Sequence, residues 1–307
     1  MMRYYSFHQA MHDRFGCKVY KLSLNAGLGC PNRDGTVGSR GCTFCSRLGS
    51  GDFAPPADMP IARQLEAAKA RVARKNPGGR YIAYFQSYTN TYAPPEVLRT
   101  LYTEAIAPPD IVGLDVATRP DCLGPEVLEV LAKLAAKKPL WVELGLQTVH
   151  ESTARAIRRG WDTPLLDTAI ESLHAVGAEV ILHQIIGLPG ETPEMMQDTA
   201  RYIARSGAEG VKLHLLHILD DADLYADFLA GRVRVLEMEE YFSILSDCLR
   251  VLPPDMVIHR LTGDGAKRHL IAPMWSADKK RVLNAMARYF EEHDVIQGSK
   301  YLSNKNT

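Results

Sequence analysis

Six short apolar runs, rich in β-branched and aromatic residues, recur along the first 220 residues and alternate with helical patterns. They are KVYKLSL (18–24), YIAYFQS (81–87), IVGLDVAT (111–118), WVELGLQ (141–147), EVILHQIIG (179–187) and VKLHLLHIL (211–219). From the second run to the fifth the repeat is about thirty residues or slightly more, the length of one βα unit. Several runs are apolar nearly throughout, as strands buried on both faces of a parallel sheet must be. The gaps predict helices at 61–75, 94–106, 124–138, 163–177 and 192–207. The first stops before Asn76-Pro77-Gly78-Gly79, several open on proline, and Thr192 stands at a cap position. Right-handed crossovers between such units give an α/β fold, a partial or complete parallel (β/α)6 barrel.

After residue 220 the rhythm changes. DDADLYADFLAGRVRV reads as a loop and a helix, EMEEYFSILSDCLRVL as a second helix, and MVIHRLTGDG (256–265) as a strand and turn. SADKKRVLNAMARYFEEHD reads as a closing helix, and the tail GSKYLSNKNT is expected to fray. No low-complexity linker intervenes. The expected organisation is therefore a barrel core over 1–220 and an α+β extension over 221–307 packed on it. Composition excludes little more: Lys plus Arg and Asp plus Glu are both 36, so net charge gives no global sign of a nucleic-acid partner. No apolar run reaches membrane-spanning length, and the polar, aromatic N-terminus lacks a signal core. The chain reads as cytoplasmic, with its six cysteines reduced.

Three of those cysteines crowd one glycine-rich loop behind the first strand, LGCPNRDGTVGSRGCTFCS, at Cys30, Cys42 and Cys45. Loops behind the strands of a parallel barrel carry its chemistry. Three thiolates can hold a metal centre and leave a coordination position open, the mark of a catalytic rather than a structural site. Cys17, His8 or His12 would have to complete a structural zinc site, and Cys17 precedes the first strand, at the opposite end. Spacing alone leaves zinc and an iron–sulfur cluster both open, because soft thiolates suit either; the strand context favours the open cluster. Cys17, Cys122 and Cys248 are scattered and read as small buried hydrophobes. His214 and His217 stand at i and i+3 on the sixth run, so they are expected on opposite faces.

With these motifs the chain resembles the radical S-adenosylmethionine (SAM) superfamily. The usual C-x3-C-x2-C spacing is replaced by CPNRDGTVGSRGCTFC, with eleven residues between the first two cysteines, as in the YhcC/YtqA-like branch near Elp3-like and MiaB-like enzymes. The likeness continues through YFQSYTNTYAP (84–94), ATRPDCL (117–123), VELGLQT (142–148), HQIIGLPGET (183–192) and RLTGD (260–264).

The resemblance implies that Cys30, Cys42 and Cys45 bind a [4Fe–4S] cluster whose fourth iron takes the amino and carboxyl groups of SAM. It implies that Gln86 and Ser87 approach the methionine end, that Thr118 and Arg119 lie near the ribose and substrate side, and that Gln147 helps hold SAM. Glu143 shares the inward face of the fourth strand with Gln147. Arg159 would pair with the SAM carboxylate, with Arg158 as its neighbour and competitor; His183 would sit near the ribose, and Gly187 along the adenine. The implied activity is reductive cleavage of SAM to a 5′-deoxyadenosyl radical, with flavodoxin or ferredoxin as electron donor. The branch points to tRNA wobble-uridine modification, 5-carboxymethylaminomethyl to 5-aminomethyl on 2-thiouridine. A small-molecule or protein substrate, and a zinc-stabilised binding protein without radical chemistry, are the alternatives. Arg71, Arg74, Lys75 and Arg80, and Lys267, Arg268, Lys279, Lys280 and Arg281, are the basic clusters a polyanion would use. Tyr88, Tyr92 and Trp275 are candidates to stack on a base.

Overall fold

Runs of alternating side chains dictate where each face of a strand goes: here the outward face is apolar, and the inward face is apolar at one end and polar beyond it. The structure, a computed structural model, describes residues 3–49, 51, 54–76, 79–263, 265 and 267–302. Pro77 and Gly78 of the expected helix stop, Asp264 of the RLTGD segment and the last five residues of the tail lie outside the described residues. A helix at Phe7–Phe15 (α1) precedes Val19–Leu24 (β1), which leads to Ile61–Val72 (α2) and Arg80–Phe85 (β2). Pro95–Ile106 (α3), Ile111–Thr118 (β3), Pro125–Ala135 (α4) and Leu140–Gln147 (β4) follow. Next come Glu151–Ala156 (α5), Pro164–Ala175 (α6), Glu179–Ile186 (β5), Pro193–Arg205 (α7) and Gly210–Leu215 (β6). Ile218–Leu219 (β7), Leu224–Leu229 (α8), Met238–Val251 (α9), Val257–Arg260 (β8), Leu270–Ala272 (β9) and Lys279–Glu292 (α10) complete the order. Among the described residues no helix is long and apolar enough to cross a membrane.

Seven strands pair in parallel in the order β1-β2-β3-β4-β5-β6-β8. The sheet is curled, because its first and last strands meet: Lys21 Nζ of β1 lies 3.2 Å from His259 Nδ1 of β8. At the strands' N-terminal end α1 spans the remaining gap, with Ile258 donating its N–H to Tyr5. The expected partial parallel barrel is therefore present, and β8, from the C-terminal extension, adds a seventh strand to it. The sixth run, expected as one strand over 211–219, is two. β6 ends at Leu215, and β7 leaves the sheet to pair antiparallel with β9. An apolar run carries no mark of where it changes partner.

Outward residues such as Leu22, Leu24, Phe85, Leu114, Val142 and Leu182 pack under the helices in the main core. The helices start where the sequence places them: the Thr192 side chain accepts from Met195 N, and Glu237 with Glu240 closes a capping box on α9. Inward residues form layers along the lumen. At the bottom Val19, Ile82, Trp141 and Ile181 meet α1 in an apolar plug. The layer above is charged. Glu143 is fully buried and accepts from Lys21 Nζ at 2.9 Å, Lys212 Nζ at 2.5 Å and Tyr84 Oη at 2.8 Å. His183 Nε2 lies 2.9 Å from the same carboxylate, so it carries the proton there. Lys21 also ion-pairs with Asp115. One carboxylate thus ties together β1, β2, β4, β5 and β6.

Burial opposes ionisation of Glu143, but Lys21, Lys212 and His183 outweigh it and hold its carboxyl well below the usual range. Asp115 goes the other way: burial and the Glu143 charge push it up to about 7. Two predictions follow from this layer. Glu143→Gln strips the counter-charge from two buried ammoniums and should cost about 3–5 kcal/mol in denaturant unfolding; a loss under 1 kcal/mol would show that the layer is not integral to the fold. The Asp115 contribution has the opposite pH sign from an ordinary paired carboxylate. Its folded value lies above the unfolded one, so its stabilising contribution is present below about 3.8 and is lost as pH rises toward about 7. Asp115→Asn should therefore gain stability relative to the unsubstituted protein between pH 4 and 7, and a difference that does not change with pH would count against this assignment.

Candidate active site

All seven parallel strands point their C-terminal ends at one opening, and the loop after β1 folds over it. Its turns are local: Arg33 N–H donates to Cys30 O at 2.9 Å, and Cys45 N–H to Cys42 O at 3.1 Å, which turns the C-x-x-C back on itself. Gly41 has φ +74°, and a Cβ there would lie 2.8 Å from Arg33 Nε, so glycine lets the arginine cross the loop. Arg33 donates to the carbonyls of Cys45 (3.1 Å) and Ser46 (2.7 Å). Asn32 Nδ2 donates to Arg158 O at 2.6 Å and lies 3.5 Å from Cys42 Sγ. Thr43 N–H donates to Ile157 O, fastening the loop to the segment after β4.

Cys30, Cys42 and Cys45 line one cavity of about 460 Å³. Burial pushes the Cys42 thiol up to about 12 and raises Cys45, while Arg119 acts against the first and Arg33 against the second. Buried thiols of this kind become good ligands once a cation takes the proton's place. Three soft thiol donors on one loop, facing a shared cavity, fit an iron–sulfur cluster with a coordination position left for a ligand from that cavity.

Most of the expected residues reach this cavity. Gln86, Thr118, Arg119, Glu143, Gln147, Arg159 and His183 line it together with the cysteines. Gln147 adopts φ +65° at a bulge in the β4–β5 ladder, and its amide folds back over Gly145, where a Cβ would lie 2.6 Å from Nε2. Non-glycine residues in that conformation are strained and cluster at functional sites. Ser87 and Gly187 are not among the lining residues. Ser87 is buried beneath Gly51, and a Cβ on Gly187 would lie 3.1 Å from Leu236, so that glycine packs toward Leu236.

Arg159 stands at the cavity edge but is a clamp. It is 2% exposed, and its five N–H donors go to Trp161 O, Leu146 O, Thr148 O, Glu151 Oε1 and Thr163 Oγ1. No donor is left over for a ligand carboxylate. Its neighbour Arg158, with φ +58°, pairs with Asp223. Arg119 grips Asp121 through two nitrogens, at 2.9 and 2.6 Å, and faces Cys30 and Cys42 with its charge. His214 and His217, expected on opposite faces, both line the cavity, because β6 ends between them and the two-residue period stops.

Arg33, Tyr84 and Arg260 lie within the matched motifs but were given no role there, and Lys212 lies outside them; all four line the cavity, as does His214. A signal existed for Lys212: one charge inside an otherwise apolar strand is costly unless it has a partner or a ligand. Of the basic clusters, the one ending at Arg80 lies where β2 begins, at the end opposite the cavity. Lys267 and Arg268 follow Gly263 and Gly265, which line the cavity. Tyr88 lines it too, whereas Tyr92 belongs to a neighbouring cavity beside Thr36 and Cys122. Trp275 is a core residue, donating to Leu236 O at 3.0 Å and packing on Tyr241 and Phe242. Cys17 packs against the apolar plug at the far end.

Comparison with known proteins gives this geometry a lineage. The Radical SAM superfamily model matches residues 25–203, and the Radical_SAM C-terminal domain model matches residues 208–292. The YtqA protein of Bacillus subtilis is 43% identical over 296 residues, 96% of this chain and 92% of that one. A tRNA uridine(34) acetyltransferase of Methanocaldococcus jannaschii is 24% identical over 187 residues, 60% of this chain and 34% of that one. The solved structure of an archaeal Methanocaldococcus infernus Elp3, with an N-terminal deletion, shares the fold with a TM-score of 0.70 at 16% identity, over 91% of this chain and 64% of that one. On the superfamily model and the relative matched along nearly its whole length, the chain belongs to the radical SAM superfamily, in its YhcC/YtqA-like branch.

Proposed function

We propose that the protein is a radical SAM enzyme that modifies the wobble uridine of tRNA, of the type that converts 5-carboxymethylaminomethyl to 5-aminomethyl on 2-thiouridine. The observation that carries the radical SAM part is a cavity bounded by three thiols above and a charged layer below. When bound, a [4Fe–4S] cluster supplies the electron that cleaves SAM to a 5′-deoxyadenosyl radical. Cys30, Cys42 and Cys45 would hold that cluster, and Gln86, Thr118, Arg119 and Gln147 stand along the wall where SAM would lie. The curled sheet and the apolar plug close the cavity from below and keep bulk water from that side. A flavodoxin or ferredoxin is the class of donor that such an enzyme needs, and cytoplasm is the compartment that suits reduced thiols.

Support for the tRNA part is narrower. A matching relative is named a tRNA uridine(34) acetyltransferase. The opening is edged by Tyr88, an aromatic face for a splayed base, and Lys267 and Arg268 follow the cavity-lining Gly263. A cavity of about 460 Å³ holds a cofactor and one substituent rather than a polynucleotide, so the RNA would present a base from outside.

Nucleoside analysis of tRNA from a strain lacking the gene tests this reading. One uridine modification should disappear while its precursor accumulates, and an unchanged profile would remove tRNA as the substrate. Affinity of the purified protein for tRNA should also fall about tenfold between 50 and 200 mM salt if two phosphates are neutralised; an affinity indifferent to salt would contradict a phosphate-binding rim.

A further inference from the structure

Not every donor in the charged layer is engaged within it. Lys212 is 4% exposed and still lines the cavity. An ammonium has three N–H donors, and among the described residues two are engaged, by Tyr84 Oη at 3.0 Å and Glu143 Oε2 at 2.5 Å. The third has the cavity before it. His214, one step along β6 on the same face, has its Nε2 buried without a partner among the described residues. Burial pushes its ring well below the usual histidine range, so it is neutral and able to donate from one nitrogen. Arg260 lines the same floor, and its charge disfavours further protons on both Lys212 and His214.

Among the described residues this layer sets Lys21 and Lys212 against Glu143 and Asp115. Asp115, pushed up to about 7 by burial and by Glu143, carries only part of its charge near neutrality. A buried ammonium with one N–H left over among the described residues, beside an unpartnered imidazole nitrogen, suits an anion. We propose that Lys212, with His214 beside it, forms a subsite for a carboxylate carried by the substrate. This rests on the function proposed above, in which the substituent acted upon ends in a carboxymethyl group. It adds the residues that would recognise that end and so decide which substituents are accepted. SAM carries a carboxylate as well, and the two sources share this chemistry.

Equilibrium dialysis with a matched probe pair tests the subsite. The probes are the nucleoside 5-carboxymethylaminomethyluridine and its carboxamide, equal in size and different in one charge, measured on the reconstituted full chain with and without saturating SAM. A charge-assisted hydrogen bond predicts that the acid binds about tenfold or more tighter than the amide. That preference should persist with SAM present and fall to about twofold or less in Lys212→Met. Equal binding of acid and amide, including none for either, overturns the proposal. Abolition of the preference by SAM overturns it too, because it gives the floor to the SAM carboxylate. If Lys212→Met does not fold, the acid-to-amide ratio of the unsubstituted protein decides alone. An unchanged tRNA profile beside an intact acid preference would remove tRNA and keep the subsite; an altered profile beside equal probe binding would do the reverse.

Discussion

The buried Glu143 carboxylate is the interaction around which the barrel is arranged. Two ammoniums, a phenol and an imidazole converge on its two oxygens from four other strands. None of these groups can be removed singly without leaving a charge or donor stranded in a low-dielectric lumen. A hydrophobic lumen would hold the strands together as well, so stability alone does not explain the arrangement. What the charged layer adds is register and a polar floor. It fixes which residues of β1, β4 and β6 lie at one level, and so which residues stand above them at the cavity wall.

From that level the molecule reads as a stack. The apolar plug under α1 closes one end, the charged layer lies above it, and the polar cavity opens beyond at the C-terminal ends of the strands. The cysteine loop is long, but it is not loose. Arg33, Asn32 and Thr43 fasten it by hydrogen bonds to itself and to the segment after β4. The wide gap between Cys30 and Cys42 is filled by turns and by the crossing of Arg33 over Gly41. Arg159 serves the same purpose from beneath, binding three carbonyls and two side-chain oxygens around β4, α5 and α6.

The barrel was legible in the sequence because its signal is periodic: apolar runs at a βα spacing leave few topologies open. The thiol loop was legible because cysteines behind a strand have few uses. What escaped was set by tertiary partners. The run over 211–219 looks like one strand, and only the pairing of β7 with β9 divides it. That division also brings His217 to the same cavity as His214, against the alternation expected of a continuous strand. Arg159 looks like a free cation near a ligand, and its five carbonyl and side-chain partners come from residues whose proximity the sequence does not state. Lys212 was visible as an isolated charge within an apolar run, yet its meaning depends on Glu143, 69 residues away in the chain.

The central claim is that three thiols at the head of this lumen hold an iron–sulfur cluster open to SAM. Anaerobic reconstitution with iron and sulfide, followed by SAM and dithionite, tests it most directly. The account predicts about four irons per chain, a visible iron–sulfur chromophore and release of 5′-deoxyadenosine. Product should fall at least about a hundredfold in Cys42→Ala and stay unchanged in Cys17→Ala. A chain that takes up one zinc with no chromophore, or that releases the same product after Cys42→Ala, would contradict the account.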